Sequence, residues 1–286
     1  MIINLIGAGR VGQTLAHLWV KQGRVRVAGV VNQHRETTLA ALEFIGDGQC
    51  VASVMALPAV ALTLITTSDD AIASVASSLA LNPWLLPGSV VAHCSGALSS
   101  DSLDALRARG CALASVHPLR SFAHPSDSIN QFSSTHCVIE GDDAALSLLT
   151  PLFESIGAVL SRIDKARKAF YHAGAVFASN YMLTLVEQAR YCLAAAGIED
   201  ARATAMIVQL MQNTLSNVSA SASISKALTG PLQRGDIQTI EAHLDALSGH
   251  QPHTLYAQLA RSLLPLTELD ALKKHDLEKL LSNFVG

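Results

Sequence analysis

A chain of 286 residues has room for two domains and an ample core. Half of it is hydrophobic and 15% charged, with a net charge of −3 and no basic tract; that balance excludes nucleic-acid binding and calls for extensive burial, a subunit interface included. Five cysteines without a CxxC spacing read as reduced thiols of a cytoplasmic protein, Met1 leading straight into a strand is read as leaving no signal peptide, and the longest apolar stretch, 56–65, is too short to span a membrane.

Residues 2–6 form an apolar run, broken only by Asn4, that suits a strand buried on both faces. The turn Gly7-Ala8-Gly9-Arg10-Val11-Gly12 follows at once, then apolar residues at helical spacing (Leu15, Leu18, Trp19) and a second β-branched run over 25–31. Strand, glycine turn, helix and strand are the context in which a GxGxxG spacing points to dinucleotide binding rather than to a chance run of small residues. Gly7 makes the tight turn, Gly9 lets backbone approach a pyrophosphate, and Gly12 lets the helix pack on the sheet. The free N–H groups and the dipole at the helix start attract the phosphates. About 20 residues past the glycines an NAD site usually carries an acidic residue on the ribose. Here stand Asn32, Gln33, His34 and Arg35, so no carboxylate repels a 2′-phosphate and a guanidinium is at hand to pair with one. NADP is therefore expected over NAD. Arg10 can stack on the adenine or reach the same phosphate, and the plain alternative for Arg35 is a solvated loop residue.

Further strands are expected over 60–66, 89–94, 112–117, 135–140 and 158–163, with helices such as 71–81, 99–109 and 143–156 between them. That alternation predicts an α/β fold, a doubly wound Rossmann domain with a mostly parallel sheet over 1–163. From residue 165 the strand pattern vanishes, and 164–286 is expected to be an all-helical substrate and dimerisation domain. Its helices are placed at 165–196, closed by Gly197, and at 201–217, 236–247, 254–264 and 267–284. The first is apolar almost all round, the pattern of a helix buried on most sides. Within that surround lie His172, Ser179 and Asn180. On one continuous helix His172 and Ser179 fall nearly on one line, with Asn180 about 80° round. Buried polar groups demand partners, which a substrate cleft, the backbone or a partner subunit can supply.

Ligands of an open parallel sheet lie outside the C-terminal strand ends. The fourth strand runs into Thr66-Thr67-Ser68-Asp69-Asp70, a turn that would pass beside the nicotinamide side of a cofactor. The next ends in His93-Cys94-Ser95-Gly96, and the one after in His117-Pro118-Leu119, where Pro118 fixes the chain's exit and so the aim of His117. His172 and His117 are the acid/base residues expected, Asn180 can donate to a substrate oxygen, and Ser95 with the Gly96 N–H can hold a carboxylate. Cys94 reads as small and buried rather than nucleophilic, and no GxSxG elbow is present. Arg234, in the turn 229–236, is either an anion clamp or a brace for its own turn, with Asp236 as helix cap. His250 and His253, the one close histidine pair, flank Pro252 in an expected loop, so no metal site is expected.

Together GAGRVG, TTSDDAI, HCSGALSS, SVHPL, YHAGAVFASNY and TGPLQRGD resemble one family along nearly the whole chain. It comprises Rossmann-like NADP oxidoreductases, assigned by likeness, whose second domain is helical and of unknown function. More distantly the chain is similar to β-hydroxyacid dehydrogenases, phosphogluconate dehydrogenase, pyrroline-carboxylate reductase and, at the His-Pro-Leu step, prephenate dehydrogenase. The resemblance implies a homodimer with intertwined helical domains and an active site between the domains. One departure matters: where β-hydroxyacid dehydrogenases place a helix lysine four residues before an asparagine, this chain has Val176 before Asn180. Valine transfers no proton, and His172 one turn earlier is the expected substitute, ahead of Lys165 and Lys168. The function expected is hydride transfer between NADP(H) and a small carboxylate-bearing oxo, hydroxy or imino compound. The alternatives are a nucleotide-binding regulator or scaffold without turnover, and a reductase of another hydride carrier such as a deazaflavin.

Overall fold

The computed structural model describes residues 1–284, and the chain divides into two compact units, Met1–Ala178 and the remainder from Ser179. In the first unit β1 (Ile2–Ile6), α1 (Arg10–Lys21), β2 (Arg26–Val31), α2 (Arg35–Ile45), β3 (Gln49–Cys50), β4 (Leu62–Ile65) and α3 (Asp69–Ala80) come first. They are followed by β5 (Val90–His93), β6 (Ala112–Pro118), α4 (Pro125–Gln131), β7 (His136–Gly141), α5 (Asp143–Ser155), β8 (Val159–Arg162) and α6 (Lys168–Ala178). Among the described residues the strands form one eight-stranded sheet of order β3-β2-β1-β4-β5-β6-β7-β8. Among the described residues every strand pairing is parallel except β6 with β7, whose antiparallel register sets Ser115 opposite Glu140.

Side chains alternate across this sheet, which is why its strands read as continuous apolar runs. Ile3, Leu5, Leu62 and Leu64 point into one apolar layer with Leu15 and Trp19 of α1 and Phe153 of α5. Ile6, Ile65 and Val91 point into the opposite layer with Ile72 and Leu79 of α3. Trp19 is fully buried, donates from Nε1 to the Leu152 carbonyl at 3.0 Å, and meets Phe153 edge-on at 5.2 Å. Its one polar atom is thereby satisfied inside the layer. The expected doubly wound, mostly parallel sheet is present, with the two-residue strand β3 in addition. The expected helix over 99–109 forms as a 3-10 helix, Ser100–Arg109. Ser102 bonds back to the Ser99 carbonyl and Ser100 bonds Glu140, local chemistry that competes with the α-helical ladder.

The second unit contains α7 (Asn180–Ala195), α8 (Asp200–Ala220), α9 (Ile224–Ala227), α10 (Pro231–Arg234), α11 (Ile237–Leu247), α12 (Pro252–Leu263) and α13 (Ala271–Ser282). Its core draws Leu232, Ile240, Leu244, Ala257, Leu277 and Leu281 from α10 to α13. Among the described residues no strand follows β8, and no helix is long and apolar enough to cross a membrane. The helix expected at 267–284 begins later, because Pro265 sits in a 3-10 turn, Leu264–Leu266, and Asp270 caps the new start by accepting from the Lys273 N–H at 2.9 Å.

The continuous helix expected over 165–196 is a correction. A 3-10 turn, Lys165–Arg167, precedes α6, and the chain leaves helical geometry at Ser179, with φ −130° and ψ −72°, before α7 begins. A serine followed by an asparagine favours a helix start over a helix interior. The phase relation of His172 with Ser179 and Asn180 is lost at that break. The expected burial of this stretch is corrected too: Lys168 is its buried residue, while Phe170, Phe177 and Leu183 are 75%, 69% and 70% exposed. An all-round apolar pattern signals that a helix must be covered, and in the single chain these side chains are not.

Candidate functional site

The glycine turn joins β1 to α1, and Gly7 and Gly12 each have a contact that requires a glycine. Gly7 has φ +82°, and a Cβ there would come within 2.5 Å of the Thr67 methyl; a Cβ on Gly12 would meet Thr66 Oγ1 at 2.3 Å. Thr66 Oγ1 donates to the Gly7 carbonyl at 2.5 Å, tying the β4 turn to the glycine turn. Gly9 differs, since a Cβ there would meet nothing closer than the Gly7 carbonyl at 4.0 Å. What a side chain at Gly9 would fill is a cavity of about 720 Å³ lined by Gly7, Ala8, Gly9, Arg10, Asn32 and Thr67, among others. The hydroxyl of Thr67 is buried without a hydrogen-bond partner beside it. An open glycine before a helix N-terminus and an orphaned hydroxyl both suit a dinucleotide whose phosphates approach α1.

At the end of β2, Asn32 Oδ1 accepts from the Ala8 N–H at 2.6 Å, and the Asn32 N–H is bonded to Thr38 Oγ1 at 3.2 Å. Asn32 thus braces the turn through its oxygen and keeps its side-chain N–H₂ as a donor. Gln33 and Thr37 line the cavity as well, whereas Arg35 opens α2 as an exposed residue. Val11 lies in the first turn of α1. Ser68 is the N-cap of α3 and Asp69 its first residue, a carboxylate at the positive end of that helix.

Beyond the cradle, β5, β6 and α6 bring a second group together. His93 is fully buried: its Nδ1 accepts from the Ser95 N–H at 3.1 Å, so Nε2 carries the proton and donates to the Ser99 carbonyl at 3.1 Å. Burial above all, with the charge of Lys168 adding to it, lowers this imidazole to about 4. Ser95 Oγ accepts from the N–H groups of Ala97 and Leu98 at 3.1 and 3.0 Å, so the hydroxyl holds the loop. Burial pushes the Cys94 thiol far above its usual range and keeps it from being a thiolate.

His117 lies near the end of β6, with Nδ1 2.7 Å from the Tyr171 hydroxyl. Burial first, then the charges of Lys168 and His172, lower it to about 4. The rings of His117 and His172 lie 6.1 Å apart, and both face Gly96. A Cβ on Gly96 would be 2.6 Å from His172 Nδ1 and 2.9 Å from His117 Nε2. His172 Nδ1 is itself buried without a partner. The structure therefore gathers His117, His172 and the Gly96 loop, three stretches far apart in sequence.

Sequence reasoning ranked Lys168 low and missed Glu140, Ser115, Ser100 and Tyr171. Lys168 Nζ donates to Ser115 Oγ and lies 3.6 Å from Glu140 Oε1, and the two charged side chains are each 2% exposed. Glu140 also accepts from Ser100 N–H and Oγ, both at 2.8 Å. Burial lowers the lysine, and Glu140 foremost opposes that shift. Lys168 and His172 are four residues apart on α6 and so share a face; that spacing was the available signal. In the second unit Asn180 opens α7, where Ser179 Oγ donates to its Oδ1 at 3.0 Å. Arg234 Nε donates to Asp236 Oδ2 at 2.9 Å, the bracing arrangement for that turn. Among the described residues no group of three His, Cys, Asp or Glu side chains is placed to hold a metal.

Fold and site define a Rossmann-type dinucleotide cradle followed by a helical unit. Residues 1–118 match the model of a Rossmann-like domain, and residues 135–263 match that of a domain of unknown function, DUF2520. The chain carries this pairing of domains, the one its motifs resembled. No curated protein matches it. Among solved structures it is similar to protein TM1727 from Thermotoga maritima, at 22% identity and a TM-score of 0.75 over 93% of this chain and 98% of that one. BF3122 from Bacteroides fragilis, described as a candidate NADP oxidoreductase, is 19% identical, with a TM-score of 0.72 over 92% of this chain and 97% of that one. A 1-pyrroline-5-carboxylate reductase from Streptococcus pyogenes is 15% identical, with a TM-score of 0.58 over 100% and 98%. At these identities the likeness is one of fold.

Proposed function

We propose that this protein is an NADP-dependent oxidoreductase acting on a small carboxylate-bearing oxo, hydroxy or imino compound. The observation that carries the reading is the open Gly9 and orphaned Thr67 hydroxyl facing one cavity, at the strand ends of a sheet where an imidazole from β6 and one from α6 meet over Gly96. A nicotinamide bound in such a cradle supplies the hydride, which leaves the protein to bind the substrate and move one proton. His172 and His117 are the groups proposed to act at the reacting atom, and Asn180 a further donor. The structural relatives named for NADP or pyrroline carboxylate support this class of chemistry for the chain.

The reading is tested by following NADPH oxidation against a panel of 2-oxo acids and cyclic imines. With a substrate in hand, His172→Ala is expected to lower turnover by about 10²-fold or more while leaving NADPH binding intact. Unchanged turnover would remove His172 from the mechanism. NADP is preferred to NAD in this proposal because no carboxylate stands at the end of β2 and Arg10 lines the cavity. NADPH is accordingly expected to raise the melting temperature more than NADH at equal concentration, and the reverse order would contradict the assignment.

The exposed Leu183 of α7 and Leu210 and Leu215 of α8 support a homodimer formed through the helical unit. One observation favours a second reading, a nucleotide-binding regulator without turnover: Val176 stands where a proton-carrying lysine would be. That reading gains if NADPH binds and no compound on the panel is reduced.

A further inference from the structure

His117 is flanked by two consecutive residues of α6. The Tyr171 hydroxyl sits 2.7 Å from His117 Nδ1, with the rings edge to face at 5.7 Å, and His172 approaches from the other side at 6.1 Å. Tyr171 is pushed up to about 12 by burial, so its phenol keeps its proton. A phenol has one hydrogen to place, and the acceptor in reach is His117 Nδ1. Bonded in that sense, Nδ1 is an acceptor and the ring's own hydrogen must be on Nε2. That nitrogen faces Gly96, beside the unpartnered Nδ1 of His172. The two nitrogens therefore differ in kind, one carrying a hydrogen fixed from behind and the other buried without a partner.

We infer that Tyr171 is a positioning residue that fixes His117 as a neutral Nε2–H donor to the substrate's carbonyl or imine, and so leaves proton transfer at this site to His172. The inference rests on the oxidoreductase reading for its substrate, but its claim about the tautomer needs no substrate. In the reductive direction the substrate oxygen or nitrogen accepts a hydrogen bond from His117, which gives up nothing. It takes its proton from the His172 imidazolium, which is left as neutral imidazole, while the hydride reaches carbon from NADPH. The charged and titratable groups facing His117 are Lys168, Tyr171 and His172 on α6 and Asp69 at the start of α3. Lys168 and His172 disfavour a charged His117 ring, and Asp69 opposes them.

Histidine-selective ¹⁵N NMR of the full chain decides the tautomer without any substrate, with His117→Gln used for assignment. The expected spectrum shows His117 as the Nε2–H form, unchanged from pH 8 to about 5. Tyr171→Phe removes one oxygen and keeps the ring, and is expected to mix the two tautomers and raise the protonation midpoint of His117. An Nδ1–H tautomer in the wild-type chain, or a Tyr171→Phe spectrum identical to it, would overturn the proposal. Once the panel yields a substrate, the pH–rate profile tests the division of roles. The limb that reports the essential acid should persist in His117→Gln and vanish in His172→Gln; loss of that limb in His117→Gln instead would reverse the assignment. A panel with no turnover counts against the oxidoreductase reading and leaves the spectroscopic result to decide the tautomer.

Discussion

Replacing Lys168 by methionine is expected to lower the unfolding free energy by about 3–5 kcal/mol, the usual penalty for stranding one member of a buried ion pair. The substitution fills a similar volume, so the loss comes from Glu140, whose carboxylate would keep its two bonds from Ser100 and lose the cation 3.6 Å away. Ser115 would also lose the partner of its oxygen. Adding Glu140→Gln should recover most of the stability, since the amide still accepts from Ser100 and no charge is left buried. Urea unfolding of the single and double variants makes the comparison. A single variant within about 1 kcal/mol of the wild type would mean that the buried pair contributes little to stability.

The second large effect is on acid stability. His93 and His117 are both held near 4, against an ordinary value of 6.5, chiefly because burial disfavours the charged ring. Between those values the unfolded chain binds protons that the folded chain refuses. Stability is therefore complete above about pH 6.5 and is lost as the pH falls, at about 1.4 kcal/mol per unit for each ring, until the folded rings themselves protonate near 4. Urea midpoints between pH 7 and 5 isolate this slope from most carboxylate titration. His93→Gln should reduce the slope by the share of one ring. A flat profile over that range would show that neither imidazole is buried neutral.

The sheet was readable because a strand covered on both faces must be apolar throughout, and 2–6, 60–66 and 89–94 are runs of that kind. The glycine turn was readable for the same reason in reverse, since only a turn that something must approach closely omits side chains at Gly7, Gly9 and Gly12. The two-residue β3 was not: Gln49 and Cys50 carry no period at all. The break at Ser179 was hidden because apolar spacing continues across it, and the residues that favour a cap there are also tolerated on an exposed helix face. Asn32 was marked as cofactor-binding from its position alone, where an NAD site carries its carboxylate; that its oxygen faces back onto Ala8 is a matter of three-dimensional register. Lys168 and Glu140 show the limit most clearly. A charged residue is by default on the surface, and what brings these two inside is the β6–β7 register that sets Ser115 against Glu140, a pairing one sequence does not display.

Gly96 is not among the glycines with positive φ, so its backbone gives no reason to refuse an alanine. The refusal comes from the two imidazoles that a methyl would strike at 2.6 and 2.9 Å. Position 96 is therefore locked to His117 and His172 as a trio. A descendant that exchanged its proton chemistry for smaller groups would at once be released to vary at 96, whereas one that varied at 96 first would have to displace the rings. Such a lock favours one order of steps, the rings first and position 96 after them.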